Sequence, residues 1–221
     1  MADFAGFLFD MDGTLLTSRA AAERVWTAWA RRHGIDPDEL LAAIHGVRAI
    51  DTVRRFGPPG LDAEAEAAAL TEAEIADTEG VAPIAGAAAF LDAIPTERRA
   101  VVTSAPRALA AARLGAAGLA APAVLITAEA VERGKPDPAG FRLAAECLGL
   151  DPAECLAFED APAGIEAARA AGARVVAVGG GAAPAGVGRI GDYTGLRVVP
   201  AGEGRWRLDG PDAAAALGDA A

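Results

Sequence analysis

The hydropathy pattern of the chain predicts an α/β protein, a doubly wound parallel sheet with an all-helical segment inserted after the first strand. Three observations carry this. Short apolar runs at residues 4–9, 100–103, 124–127, 155–158 and 174–178 are bounded by turn residues, as in strands buried on both faces. Amphipathic helical patterns at 107–114, 138–148 and 163–171 separate several of these runs. Residues 16–80 interrupt the alternation with helical spacing alone. The predicted division is an α/β core of residues 1–15 and 81–221 and a helical cap of residues 16–80.

Taken in order, the run 4–9 ends abruptly in Asp-Met-Asp-Gly-Thr, a strand closed by a turn. The segment 20–33 has Val25, Trp26 and Trp29 at helical spacing and stops at Gly34. Its tryptophans read as the cap's own core rather than as a sugar platform. Asp36-Pro37 starts a second helix as N-cap and first-turn proline, with Leu40, Leu41 and Ile44 facing inward and His45-Gly46 at its end. Helical patterns at 47–56 and 62–78 complete the insertion. Beyond it, Gly149 and Gly172 mark helix stops. Residues 196–199 and 205–208 read as two short strands, and the Ala-rich tail after them is expected to fray.

Composition narrows the function. The 221 residues suit one large domain or a domain with an insertion. Lys and Arg number 20 against 31 Asp and Glu, a formal charge of -11, which argues against a nucleic acid or an anionic membrane surface as partner. It leaves an anionic small molecule open. No apolar stretch approaches the roughly 20 residues of a spanning helix. Cys147 and Cys155 have no metal or redox spacing, and no export signal is visible. A cytoplasmic protein, monomeric or weakly dimeric, is expected.

Four strand-end sites could carry chemistry. Asp10 and Asp12 have one residue between them, so a period of two sends both carboxylates toward one edge of the sheet; Asp and Gly are also ordinary turn residues there. Glu159-Asp160 follows another strand and equally suits a helix N-cap. Four carboxylates meeting at one rim repel unless protons or a cation offset them. Oxygen ligands select a hard divalent ion, and a substrate phosphate as a further ligand points to Mg²⁺. With His33, His45 and two scattered cysteines, zinc fits poorly. Lys135, in Gly-Lys-Pro-Asp-Pro, is the single lysine of the chain. It is either a solvated loop charge or a compact ammonium that reaches a phosphate and a carboxylate together. Thr103-Ser104 ends the strand at 100–103, as a phosphate-holding turn or as an N-cap.

In this order, the four sites resemble the haloacid dehalogenase superfamily of phosphatases. The resemblance runs from Phe4 to about Val178, and Phe9-Asp10-Met11-Asp12-Gly13-Thr14-Leu15 is its most specific element. The helical insertion is similar to that superfamily's small cap. Val102-Thr103-Ser104, Arg133-Gly134-Lys135-Pro136-Asp137-Pro138, Glu159-Asp160-Ala161-Pro162-Ala163-Gly164 and Ile44-His45-Gly46-Val47-Arg48-Ala49-Ile50-Asp51 resemble bacterial sugar phosphatases and the glycerol-phosphate and deoxyglucose-phosphate phosphatases. The resemblance implies Asp10 as nucleophile and Asp12 as acid and then base. It implies Mg²⁺ held by Asp10, the Asp12 backbone carbonyl and Asp160, with Glu159 near it. Thr103, Ser104 and neighbouring N–H groups would hold the phosphoryl group and Lys135 would balance its charge. His45 and Arg48 would meet the non-reacting part of a small phosphate ester; for His45, a helix C-terminal dipole partner is the other reading.

Three rivals are weighed, of which the mutase and the receiver module stay open while Asp12 and Glu159-Asp160 speak against the dehalogenase. A sugar phosphomutase shares the core motifs. A haloacid dehalogenase also uses an Asp nucleophile but has no need of Asp12 or Mg²⁺. A phospho-Asp receiver module combines Asp, hydroxyl, Lys and Mg²⁺ without turnover.

Overall fold

A computed structural model describes residues 2–180 and 183–218. In chain order these form β1 (Asp3–Phe4), β2 (Gly6–Phe9), β3 (Leu16–Thr17), α1 (Arg19–His33), α2 (Pro37–Leu41), α3 (Ala49–Phe56), α4 (Ala63–Ala76) and β4 (Ala82–Pro83). There follow α5 (Ala87–Asp92), β5 (Arg99–Val102), α6 (Arg107–Ala116), β6 (Leu125–Ile126), α7 (Ala139–Cys147), β7 (Cys155–Glu159), α8 (Pro162–Ala171) and β8 (Arg174–Val178). The chain ends with β9 (Gly188–Ile190), β10 (Arg197–Gly202), β11 (Arg205–Asp209) and α9 (Ala213–Leu217).

Among the described residues, six parallel strands form one sheet in the order β6-β5-β2-β7-β8-β9. Consecutive side chains of β2 go to opposite faces, Phe7 and Phe9 to one apolar cluster and Leu8 to the other. The chain steps from β2 outward through β5 and β6, then returns to the opposite side of β2 with β7. That reversal opens a crevice at the carboxyl ends of β2, β5 and β7, where α/β sheets bind ligands.

Helices α1–α4 lie between β3 and β4, which pair antiparallel, so the chain leaves and re-enters the core side by side. These helices have an apolar cluster of their own, including Trp26, Trp29, Leu40, Ile44, Val53 and Leu70. Their ends follow local chemistry. Asp36 and Asp62 accept from the backbone N–H groups of Asp38 and Ala65, and Gly34 closes α1 at φ 68°.

The structure corrects several sequence expectations. The single run at 4–9 splits at Ala5: β1 pairs antiparallel with β11, whereas β2 enters the parallel sheet. The second cap helix ends at Leu41, so His45 sits in a turn and not at a helix terminus. The turn that follows brings Gly46 (φ 74°) against the core, where any Cβ would come 2.7 Å from the Ala161 Cβ. The Ala-rich segment is ordered as far as it is described, because α9 buries Ala216 and Leu217 beside β8 and β9; residues 219–221 of the tail lie outside the described residues. Helix α5, all apolar except Asp92, had no period to reveal it.

Candidate active site

Asp10 directly follows β2, and its N–H donates to the Phe158 carbonyl of β7, which brings the two strand ends together. Carboxylate oxygens of Asp10, Glu159 and Asp160 lie within 4.8 Å of one another. Lys135 enters from the loop before α7. Its Nζ donates to Asp10 Oδ1 at 2.5 Å, Glu159 Oε1 at 2.7 Å and the Val102 carbonyl at 3.1 Å, so each of its three protons has an acceptor. Glu159, fully buried, also accepts from the Ala161 N–H at 2.7 Å.

Two glycines make room for this packing. At Gly13 (φ 85°) a Cβ would fall 2.0 Å from Asp160 Oδ2. At Gly164, in the first turn of α8, it would fall 1.5 Å from Glu159 Oε1. Both carboxylates therefore depend on bare backbone opposite them.

Crowding sets the electrostatics. Burial, opposed by Lys135 and reinforced by Glu159 and Asp160, pushes the Asp10 carboxyl well above the usual range. Burial and then Glu159 push Asp160 up to about 7. For Lys135, burial pulls downward, but Asp10 and Glu159 outweigh it and hold the ammonium above its ordinary value. Three carboxylates against one ammonium leave a formal charge of -2, which one divalent cation cancels. An oxygen-only set of this charge fits a hard cation such as Mg²⁺.

Asp10 and Asp160 line a cavity of about 360 Å³ whose wall also includes Trp26, Ile44, His45 and Glu74 of the helical insertion. Thr103 and Ser104 line it where β5 ends. Thr103 Oγ1 accepts from the Ala105 N–H at 3.0 Å, which leaves its own proton for a ligand. Ser104 Oγ donates to the Gly46 carbonyl at 2.9 Å and thereby ties core to insertion. His45 lines the cavity, and burial, with Arg19 beside it, lowers its pKa, favouring a neutral imidazole. Trp26 belongs to the apolar cluster of the insertion and also faces the cavity, whereas Trp29 packs inside and donates to Glu66 at 2.9 Å.

Two predicted residues sit apart from the cluster. The Asp12 carboxylate is turned to Ser18 and Arg113, whose donors approach Oδ1 at 2.5 and 3.0 Å. Arg48 pairs with Asp51 at 2.7 Å, donates to the Glu132 carbonyl at 2.9 Å and covers Gly134, beside Lys135 rather than in the main cavity.

The sequence reading missed Ser18, Glu74 and Arg113 as cavity residues. A signal existed for two of them. Arg113 stands on the face of α6 that carries Leu109, Ala110 and Leu114, and Glu74 follows Leu70 by one turn of α4. A charge on a buried stripe needs a partner.

The chain has recognisable relatives. The haloacid dehalogenase-like hydrolase family matches residues 4–172. Hexitol phosphatase A of Escherichia coli K12 is 49% identical over 180 residues, 78% of this chain and 82% of that protein. The 2-deoxyglucose-6-phosphate phosphatase 1 of Saccharomyces cerevisiae is 34% identical, over 80% and 82% of the two chains. CbbY from Rhodobacter sphaeroides, solved in complex with phosphate, matches with a TM-score of 0.70 and 25% identity, over 84% of this chain and 92% of that one.

Proposed function

The chain belongs to the haloacid dehalogenase-like hydrolases, and we propose that it is a Mg²⁺-dependent phosphatase that hydrolyses hexitol or related sugar phosphate monoesters through an aspartyl-phosphate. The observation that carries this reading is the buried Asp10–Lys135–Glu159–Asp160 cluster, whose Asp10 and Asp160 line a cavity with room for a small polyol. The likeness to two phosphatases of hexitol and deoxyhexose phosphates supports the substrate class.

Asp10, Asp160 and Glu159, with the backbone at Asp12, would hold Mg²⁺, which supplies positive charge opposite the phosphoryl oxygens. In the first half-reaction an Asp10 carboxylate oxygen bonds to phosphorus as the ester P–O bond breaks. Asp12 gives its proton to the departing alkoxide oxygen. In the second, a water oxygen attacks phosphorus, Asp12 takes the water's proton, and the Asp10–phosphorus bond breaks to leave inorganic phosphate. Thr103 offers its free hydroxyl proton to a phosphoryl oxygen. Lys135 balances charge on Asp10 and keeps its attacking carboxylate directed.

Helices α1–α4 act as a lid. Contacts from Ser104 to Gly46 and from Arg48 to Glu132 close them on the core and exclude bulk water from the intermediate. His45 and Trp26 face the polyol. A cavity covered by the helical insertion and membership in a hydrolase family favour turnover over phospho-Asp signalling.

The test is inorganic phosphate release by the purified full-length protein from hexitol 6-phosphates, 2-deoxyglucose 6-phosphate and glycerol phosphate. With Mg²⁺, turnover is expected on at least the hexitol esters, and EDTA is expected to lower it at least about 100-fold. Failure to release phosphate from any ester, or isomerised sugar phosphate without free phosphate, would refute the reading. The second outcome would mark a mutase.

A further inference from the structure

Two charged side chains in the cavity have no part in the reaction as described above. Arg113, on α6 of the core, and Glu74, on α4 of the insertion, pair at 2.8 Å with side chains only 7% and 7% exposed. A buried ion pair is poor ground for stability, because desolvation offsets most of its attraction and an apolar pair often packs as well. Arg113 is flanked on α6 by buried Leu109, Ala110 and Leu114, and Glu74 is one turn from buried Leu70 on α4, so packing alone gives little reason for the charges.

The third member of the group supplies one. Arg113 gives Nη2 to Glu74 and Nη1 to Asp12 Oδ1, at 2.8 and 3.0 Å. Its planar fork is thus held at both tips by carboxylates, one from each side of the cavity. Ser18 Oγ donates to the same Asp12 oxygen at 2.5 Å. With both donors converging on Oδ1, a proton carried by this carboxyl group belongs on Oδ2.

We propose that Glu74 and Arg113 are positioning residues for Asp12, with Glu74 locking the Arg113 fork so that Arg113 and Ser18 present Asp12 Oδ2 to the leaving oxygen. The inference deepens the phosphatase reading and rests on it. In the first half-reaction the Asp12 proton moves to the departing alkoxide oxygen while the P–O bond breaks. The carboxylate left behind then faces Arg113, until the attacking water returns a proton to it. Because Glu74 belongs to the insertion while Arg113 and Asp12 belong to the core, the acid is held in place when α1–α4 cover the cavity. Cleavage of an alkyl ester is thereby tied to the covered state.

The choice of leaving group separates positioning from mere structure. A polyol alkoxide needs the Asp12 proton to depart, whereas acetate leaves acetyl phosphate without it. The quantity to compare is kcat/KM, which reports steps only as far as leaving-group departure. With sorbitol 6-phosphate, R113M and E74A should lose about 30-fold or more, while with acetyl phosphate both should stay within about threefold of the unaltered protein. E74Q, which keeps an acceptor for Arg113, should recover most of the E74A loss. Parallel losses on both substrates, or no loss on either, would overturn the inference. If the unaltered protein releases phosphate from neither compound, the phosphatase reading itself fails and this inference with it. If R113M does not fold, the comparison of E74A with E74Q carries the same test.

Discussion

Asp10→Asn is expected to lower phosphate release by a factor on the order of 10⁴ or more while leaving the fold intact. An amide oxygen is a far weaker nucleophile than a carboxylate, and no neighbouring group replaces it. The Asp12 carboxylate faces Ser18 and Arg113, and Glu159 is fully buried with its two oxygens accepting from Lys135 and the Ala161 N–H. Stability should hold or rise, because the change removes one negative charge from a crowded, desolvated group of three. Lys135 keeps two of its acceptors, Glu159 and the Val102 carbonyl. Parallel measurements of phosphate release and thermal unfolding check both parts. A variant that turns over near the original rate would remove Asp10 from the chemistry.

Lys135→Met should damage both stability and rate. The ammonium is buried and hydrogen-bonded to two carboxylates and a carbonyl, so its loss strands Asp10 and Glu159 without their counter-charge. Removing one partner of a buried ionic group costs about 3–5 kcal/mol, and losing a pre-oriented cation beside a phosphoryl group costs roughly 10²–10³ in rate. Added Mg²⁺ should restore part of the stability, because the cation offsets the same negative charge. Arginine should not rescue the rate: its wide planar fork cannot fit the compact three-acceptor site that the ammonium fills. Denaturant unfolding with and without Mg²⁺, beside steady-state rates, tests this. A melting point and rate unchanged in Lys135→Met would contradict the role given to the ammonium.

The sequence made the acidic cluster legible because the groups there sit at strand ends. Asp10 follows β2, Asp160 follows β7 and Thr103 follows β5, so a correct strand assignment places them at one edge. Lys135 stood out as the single lysine. The surroundings of Asp12 were not legible in the same way. Glu74 and Arg113 are separated by 39 residues, and Arg113 and Asp12 by 101. No local pattern announces which helices will face each other, although each charge on an apolar stripe was a visible anomaly. Arg48 shows the converse. Its motif suggested a substrate contact, but Asp51 one turn later and the Glu132 carbonyl take up its guanidinium.

The same division holds for the fold. Buried parallel strands announce themselves by composition. The strands at 196–199 and 205–208 were legible too and stand as β10 and β11, but their joining to β1 was not, because Asp3 pairs with Arg207, 204 residues later, both in register and through an ion pair at 2.7 Å. Such pairing is set by where the chain ends meet, which hydropathy does not encode.

The most direct test of the account is chemical trapping of the phosphoryl group during turnover. Protein mixed with a ³²P-labelled hexitol 6-phosphate and Mg²⁺, quenched within one turnover and digested, should yield label on the peptide that contains Asp10. Borohydride treatment of the quenched protein should convert residue 10 to homoserine. Label on another residue, or phosphate released at full rate with no labelled peptide, would contradict a covalent intermediate at Asp10.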